Sequence, residues 1–282
     1  MATTTEPVAV TTGRIELRRE GWLLRNGRTV EMVCRREIIR FFRMPARYIT
    51  GLAQPILFLV VLGAGIEPLV GGRAAAGVDF QQYLLPGVLA MSVLFSAFFS
   101  SVSIVWDREF GFLREMLVAP VSRTGLVIGK LLGSALVAVG QGIILLIAAP
   151  FLGVDLGFLD FLAVFGLMLL LAFSLTAFGI LIASRMQRME SFQMVMALVI
   201  NPMLFLSGAI FPINDLPEWL KVATRLNPVT YGVDPIRRVM LPQAQPLTIG
   251  SWTVPIWFDV LVVVGIGAIC LALAVRSFRR TE

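Results

Sequence analysis

The stretch closest to a chemical motif is Gly125-Leu-Val-Ile-Gly129-Lys130-Leu131, where two glycines and a lysine could cradle a phosphate. A phosphate-binding loop of that kind needs four residues between its glycines and a Ser or Thr after the lysine to hold magnesium. Here three residues separate the glycines, and Leu131 stands where the hydroxyl belongs. The stretch fails as a nucleotide site. Gly125, Gly129 and Gly133 read instead as a small-residue face for close helix packing. The chain has no histidine, the commonest general base and metal ligand. Its two cysteines, Cys34 and Cys270, lie far apart, one in a basic segment and one in an apolar run, and make no CxxC metal site. The Ser and Asp residues form no converging nucleophile and base. The sequence therefore predicts a non-enzyme that binds no metal or cofactor of its own.

The elements that would carry function are helices in lipid. The chain is 57% hydrophobic, with mean hydropathy +0.84 and only 15% charged residues; soluble domains carry about 25%. Several uncharged runs reach the roughly 20 residues needed to cross a bilayer core. The runs are continuous rather than alternating, which excludes a barrel. Six spans are predicted, at about 48–69, 84–106, 126–151, 158–183, 192–210 and 255–275. Gln54-Pro55 should kink the first, Pro86 should sit near the opening turn of the second, and Asn201-Pro202 falls inside the fifth. No span centre holds an ionisable side chain; Glu67, Asp160 and Asp259 lie at span ends, within reach of water. Ion-coupled carriers and charge-ringed channels place such groups near the midplane, so both are disfavoured.

Residues 1–13 are small and Thr-rich, read as disordered and not as a signal peptide. The segment 14–47 carries ten arginines, and within it Val30, Val33, Cys34, Ile38, Phe41 and Phe42 recur at helical spacing. That pattern predicts an amphipathic helix lying along the inner leaflet, its arginines on anionic headgroups; a basic tag that orients the first span fits equally. Of the 24 Lys and Arg residues, 19 fall in the segments on one side of the six spans. By the positive-inside rule those segments are cytoplasmic, both termini and the tail 276–282 included.

Between the second and third spans lies a polar island, DREFGFLREMLVAPVSRTGLVIGK, from Asp107 to Lys130. Its first part, Asp107 to Val118, reads as a short helix with Phe110, Leu113 and Leu117 on one stripe, stopped by Ala119-Pro120. Such a helix could lie on headgroups, dock into a partner, or merely connect. On the other side, 211–255 is cut into pieces by Pro212, Pro217, Pro228, Pro235, Pro242 and Pro246. Pro217 to Arg225 and Val229 to Met240 read as short amphipathic helices, either re-entrant or interfacial.

The island, together with LSGAIFPINDLPEWLKVATRLNPVTYGVDPIRRVML at Leu206 to Leu241, resembles ABC-2 type transporter permeases, and most of all their daunorubicin-resistance group of drug and lipid exporters. The resemblance covers roughly residues 30–280. It implies an all-α membrane protein of six transmembrane helices in a domain at 48–275, an N-terminal connecting helix at 14–47, and short re-entrant helices before the last span. It implies that the loop 107–125 is a coupling helix docking on a separate ABC ATPase, with Glu109, Gly111, Leu113, Glu115, Leu117, Pro120, Val121 and Ser122 as its residues. Pro212, Pro217, Trp219, Asn227, Pro228 and Tyr231 would build the outer re-entrant segment. Two ATPase subunits, holding ATP and Mg, would drive two permease copies in a bacterial inner membrane. Homodimer and heterodimer both fit, and no nucleic acid is involved.

Substrate would then pass between permeases along the second and fifth spans. The residues there are apolar: Phe95, Phe98 and Phe99, then Met194, Leu198, Asn201 and Phe205. Aromatic and methionine side chains repack around flat, variable molecules, though the same residues serve ordinary helix packing. Asn201 stands out, since an amide inside a membrane needs a partner or water. The expected cargo is an amphipathic drug-like or lipidic compound; a polysaccharide or other polar polymer is the alternative, with little polar lining to favour it.

Overall fold

The computed structural model describes residues 22–43, 45–66, 79–111, 123–213, 216–249 and 252–280. Nine α-helices are described: α1 (Trp22–Arg43), α2 (Pro45–Ile66), α3 (Phe80–Glu109), α4 (Arg123–Ile147), α5 (Phe158–Ala183), α6 (Met189–Phe205), α7 (Glu218–Leu226), α8 (Thr230–Met240) and α9 (Ile256–Arg280). A 3-10 turn, Ala149–Leu152, follows α4, and the strands β1 (Thr248–Ile249) and β2 (Trp252–Thr253) pair antiparallel ahead of α9.

Four helices among the described residues are long and apolar enough to cross a membrane: Phe80–Glu109, Thr124–Ile147, Phe158–Ala183 and Ile256–Ser277. The expected first and fifth spans correspond to the shorter apolar helices within α2 and α6. At about 1.5 Å per residue, the 30 residues of α3 reach some 45 Å. It is the central pillar, packed by α2, α4, α5, α6 and α8. Its burial explains its serines: Ser92, Ser96, Ser101 and Ser103 face neighbouring helices, and Ser92 and Ser101 donate back to carbonyls on their own helix.

Pro55 lies inside α2, and the helix continues past it. Two expectations are corrected. Pro86 is not in the opening turn, because α3 begins at Phe80, so this proline lies within the helix. The short helix expected at 107–118 does not start at Asp107: Asp107, Arg108 and Glu109 are the last residues of α3. The stop is Gly111, whose φ of +79° is a left-handed conformation that side-chain-bearing residues avoid; its N–H bonds back to the Arg108 carbonyl at 3.2 Å.

The small-residue face on α4 is where α1 docks. A Cβ on Gly129 would meet Val33 Cβ at 2.8 Å, and one on Gly133 would meet Glu37 Cβ at 2.8 Å. The face of α1 expected to dip into the acyl boundary is thus partly spent on protein, while Met32, Ile39 and Phe42 remain exposed. A bulky residue has nowhere to go between backbones so close. Gly133→Leu should push α1 off α4 at a cost of about 1–3 kcal/mol. Proteolysis near α1 should then quicken in the intact membrane; an unchanged cleavage rate would contradict this packing.

Candidate functional site

The loop that leaves α3 is tied to four other helices by three consecutive residues. Asp107 forms an ion pair with Lys130 on α4, whose ammonium also donates to Ser103 Oγ at 3.2 Å. Lys130 is 2% exposed. Arg36 of α1 stands 3.7 Å from the same carboxylate and 3.3 Å from Glu37. Next in sequence, Arg108 Nη1 donates to the Ser184 and Met186 carbonyls, both at 2.9 Å, where α5 ends. Glu109 then accepts the Met189 N–H at 3.1 Å, at the first residue of α6. A carboxylate there satisfies an otherwise orphaned amide and sits at the positive end of the helix dipole. Any displacement of the loop base is therefore delivered to α1, α4, α5 and α6 together.

Of the expected coupling residues, Glu109 and Gly111 lie at this base. Leu113, Glu115, Leu117, Pro120, Val121 and Ser122 lie outside the described residues. The reach of Arg108 and Glu109 to the α5–α6 turn had no signal in the sequence, because nothing in their spacing names a partner about 80 positions away.

A groove opens between α3 and α6. It has a volume of about 550 Å³ and is lined by Phe95, Phe98, Phe99, Val102 and Trp106 on one side and by Phe192, Met196, Ile200 and Asn201 on the other. Phe95 and Phe99 are stacked with ring centroids 6.3 Å apart. The expected path residues divide. Phe95, Phe98, Phe99 and Asn201 come together here, although Phe98 is almost wholly buried and packs edge-on against Phe178. Met194, Leu198 and Phe205 do not line the groove; they stand exposed on another face of α6. A second cavity of about 300 Å³ shares Gln54, Phe95 and Phe99 with the groove and is lined on its far side by polar groups, which the sequence reading passed over. They come from four different helices, so no window of sequence contains them.

The far end of the bundle is capped by α7, α8 and the β1–β2 hairpin. Pro217 is the N-cap of α7, and Pro212 lines a small crevice beside Arg237. Asn227 Nδ2 donates to the Met203 carbonyl at 2.6 Å, closing the end of α6, and its Oδ1 accepts the Val229 N–H at 3.1 Å. Pro228 follows it in the turn into α8. Tyr231 donates to the Arg225 carbonyl at 2.8 Å and packs against Phe258. Asp259, expected within reach of water, is fully buried: it pairs with Arg238 at 2.8 Å, and Arg238 also pairs with Asp234. On the outside of the cap, Trp219, Val222 and Leu226 form an exposed apolar edge. There Lys221 donates a hydrogen bond to Glu218, which with its charge holds that carboxyl below its ordinary value.

An apolar helical bundle with a greasy side groove, and a loop base wired to four helices, is built as a membrane transport subunit. The chain belongs to the ABC-2 type transporter family, whose pattern matches residues 29–241. Members are transport permeases that lack a nucleotide site and work with an ABC ATPase. The chain is 30% identical to the putative transport permease ycf38 of Cyanophora paradoxa over 73% of its own length and 72% of the relative's. It is 31% identical to nodulation protein J of Rhizobium leguminosarum bv. trifolii, over 67% and 72% of the two chains. It is 28% identical to the probable multidrug ABC transporter permease YbhR of Escherichia coli (strain K12), over 59% of this chain and 46% of that one.

Proposed function

We propose that this chain is the permease of an ATP-driven exporter that moves an amphipathic drug-like or lipidic compound out of the cytoplasm or inner leaflet, with a separate ATPase docked on the loop 107–125. The observation that carries this reading is the wiring of Asp107, Arg108 and Glu109, which turns a push on one loop into movement of helices on both sides of the groove. The aromatic and methionine lining of the groove suits a greasy cargo, and the resemblance to a probable multidrug permease points the same way. We place the chain with the drug and lipid exporters of the daunorubicin-resistance group.

In this reading α2 and α6 complete six spans in a bacterial inner membrane, both termini face the cytoplasm, and 14–47 is the connecting helix. The outer cap at 211–255 dips into or lies on the outer leaflet, where its apolar edge meets lipid. Two permeases pair with two ATPases, which hold ATP and Mg.

Co-expression with its cognate ATPase should yield a complex with vanadate-sensitive hydrolysis. Glu109→Lys combined with Glu115→Lys should cut cargo-stimulated hydrolysis at least about tenfold, since the first change alone puts a cation against the positive end of α6. Membrane insertion should be unaffected. Permease that solubilises well yet never co-purifies with the ATPase would overturn the docking role.

A further inference from the structure

The polar cavity beside the groove sits where α1, α2, α3 and α4 meet. Its wall carries Glu37 and Arg40 from α1, Gln54 from α2, Ser96 from α3 and Gln141 from α4. The charges around it nearly cancel. Glu37 is held by Arg36, and Asp107 by Lys130. Arg40 is the surplus cation: none of the ion pairs among the described residues involves it. Ser96 is 5% exposed, and its Oγ has no hydrogen-bond partner among the described residues. A buried hydroxyl without a partner is unfavourable, and one beside a cavity is a group that a ligand can satisfy. The cavity adjoins the apolar groove at Gln54, Phe95 and Phe99, which line both.

We infer that the two cavities form one bipartite site for an anionic amphiphile. Its phosphate-like head lies between Arg40 and Ser96, and its apolar tail runs past Phe95 and Phe99 into the α3–α6 groove. Arg40 supplies a charge-assisted hydrogen bond, the Ser96 hydroxyl donates a second, and Gln54 marks the boundary between head and tail. The connecting helix α1 thereby contributes directly to cargo selection. This inference rests on the export reading and specifies its substrate class.

The test is equilibrium binding of radiolabelled dodecyl phosphate to the full chain in phosphatidylcholine nanodiscs, with empty discs subtracted. Saturable binding is expected. Arg40→Gln should weaken it about tenfold while changing dodecyl maltoside binding less than about twofold. Ser96→Ala should weaken the phosphate probe alone, and Phe99→Ala should weaken both probes, with size-exclusion profiles reporting the fold of each variant. Failure of millimolar inorganic phosphate to compete supports a site that needs the tail; full competition would make it a free-phosphate site and overturn the amphiphile assignment. Equal binding of dodecyltrimethylammonium, or an Arg40→Gln variant that binds dodecyl phosphate normally, would also overturn it. Binding is read without the ATPase, so its failure leaves the export reading standing, whereas failure to co-purify leaves this site standing.

Discussion

Arg238→Met should destabilise the protein by about 3–5 kcal/mol, the cost of removing one partner from a buried ion pair. Arg238 serves two carboxylates at once: Asp259, which is fully buried, and Asp234, whose side chain is 8% exposed. Its other arm donates to the Val254 carbonyl at 2.7 Å. The substitution leaves two acids and a carbonyl facing a hydrocarbon side chain. Arg238→Lys should rescue little, because an ammonium cannot reproduce a planar fork that reaches three acceptors. Adding Asp259→Asn to Arg238→Met should recover part of the loss by neutralising the deeper acid. Thermal unfolding in detergent checks this: at roughly 2–4 °C per kcal/mol, the single variant should melt about 10 °C lower. An unchanged midpoint would mean that the cap does not depend on this ion network.

The Arg238 network also shows what sequence reading can and cannot reach. Hydropathy placed α3, α4, α5 and α9 to within a few residues, because a long apolar run has no other stable fate in lipid. Proline positions placed α7 and α8 just as closely: Pro217 caps the first, and Val229 the second. The glycine spacing on α4 was legible as a packing face, though not that α1 would be its occupant. Asp259 was misread. Its place near a span end suggested water, but the cap folds back over it and supplies Arg238 from 21 positions upstream. The groove was half legible, since α3's aromatics were named while α6 turned Met194, Leu198 and Phe205 the other way. Helical phase is readable only when the two faces differ in polarity, and α6 is apolar nearly all round.

The pair Asp107–Lys130 closes the base of the loop 107–125, and removing its two members one at a time should have unequal consequences. Lys130→Met leaves Asp107, less deeply buried than Lys130, still 3.7 Å from Arg36, so the cost should fall near the lower end of about 3–5 kcal/mol. Asp107→Leu leaves an ammonium at 2% exposure with only Ser103 Oγ to receive it, and should fall near or above the upper end. The double variant Asp107→Leu with Lys130→Met replaces a buried pair by apolar groups and should recover most of the stability, so its cost should fall far below the sum of the two single costs in a double-mutant cycle. Stability and transmission then separate. The double variant keeps α3 and α4 packed, yet nothing charged links the loop base to Arg36 on α1. Reconstituted with its ATPase, it should assemble and hydrolyse ATP at the basal rate while losing most cargo stimulation. Full stimulation in that variant would reduce the pair to a structural staple and would leave Arg108 and Glu109, on the α5–α6 turn, as the connection that moves the groove.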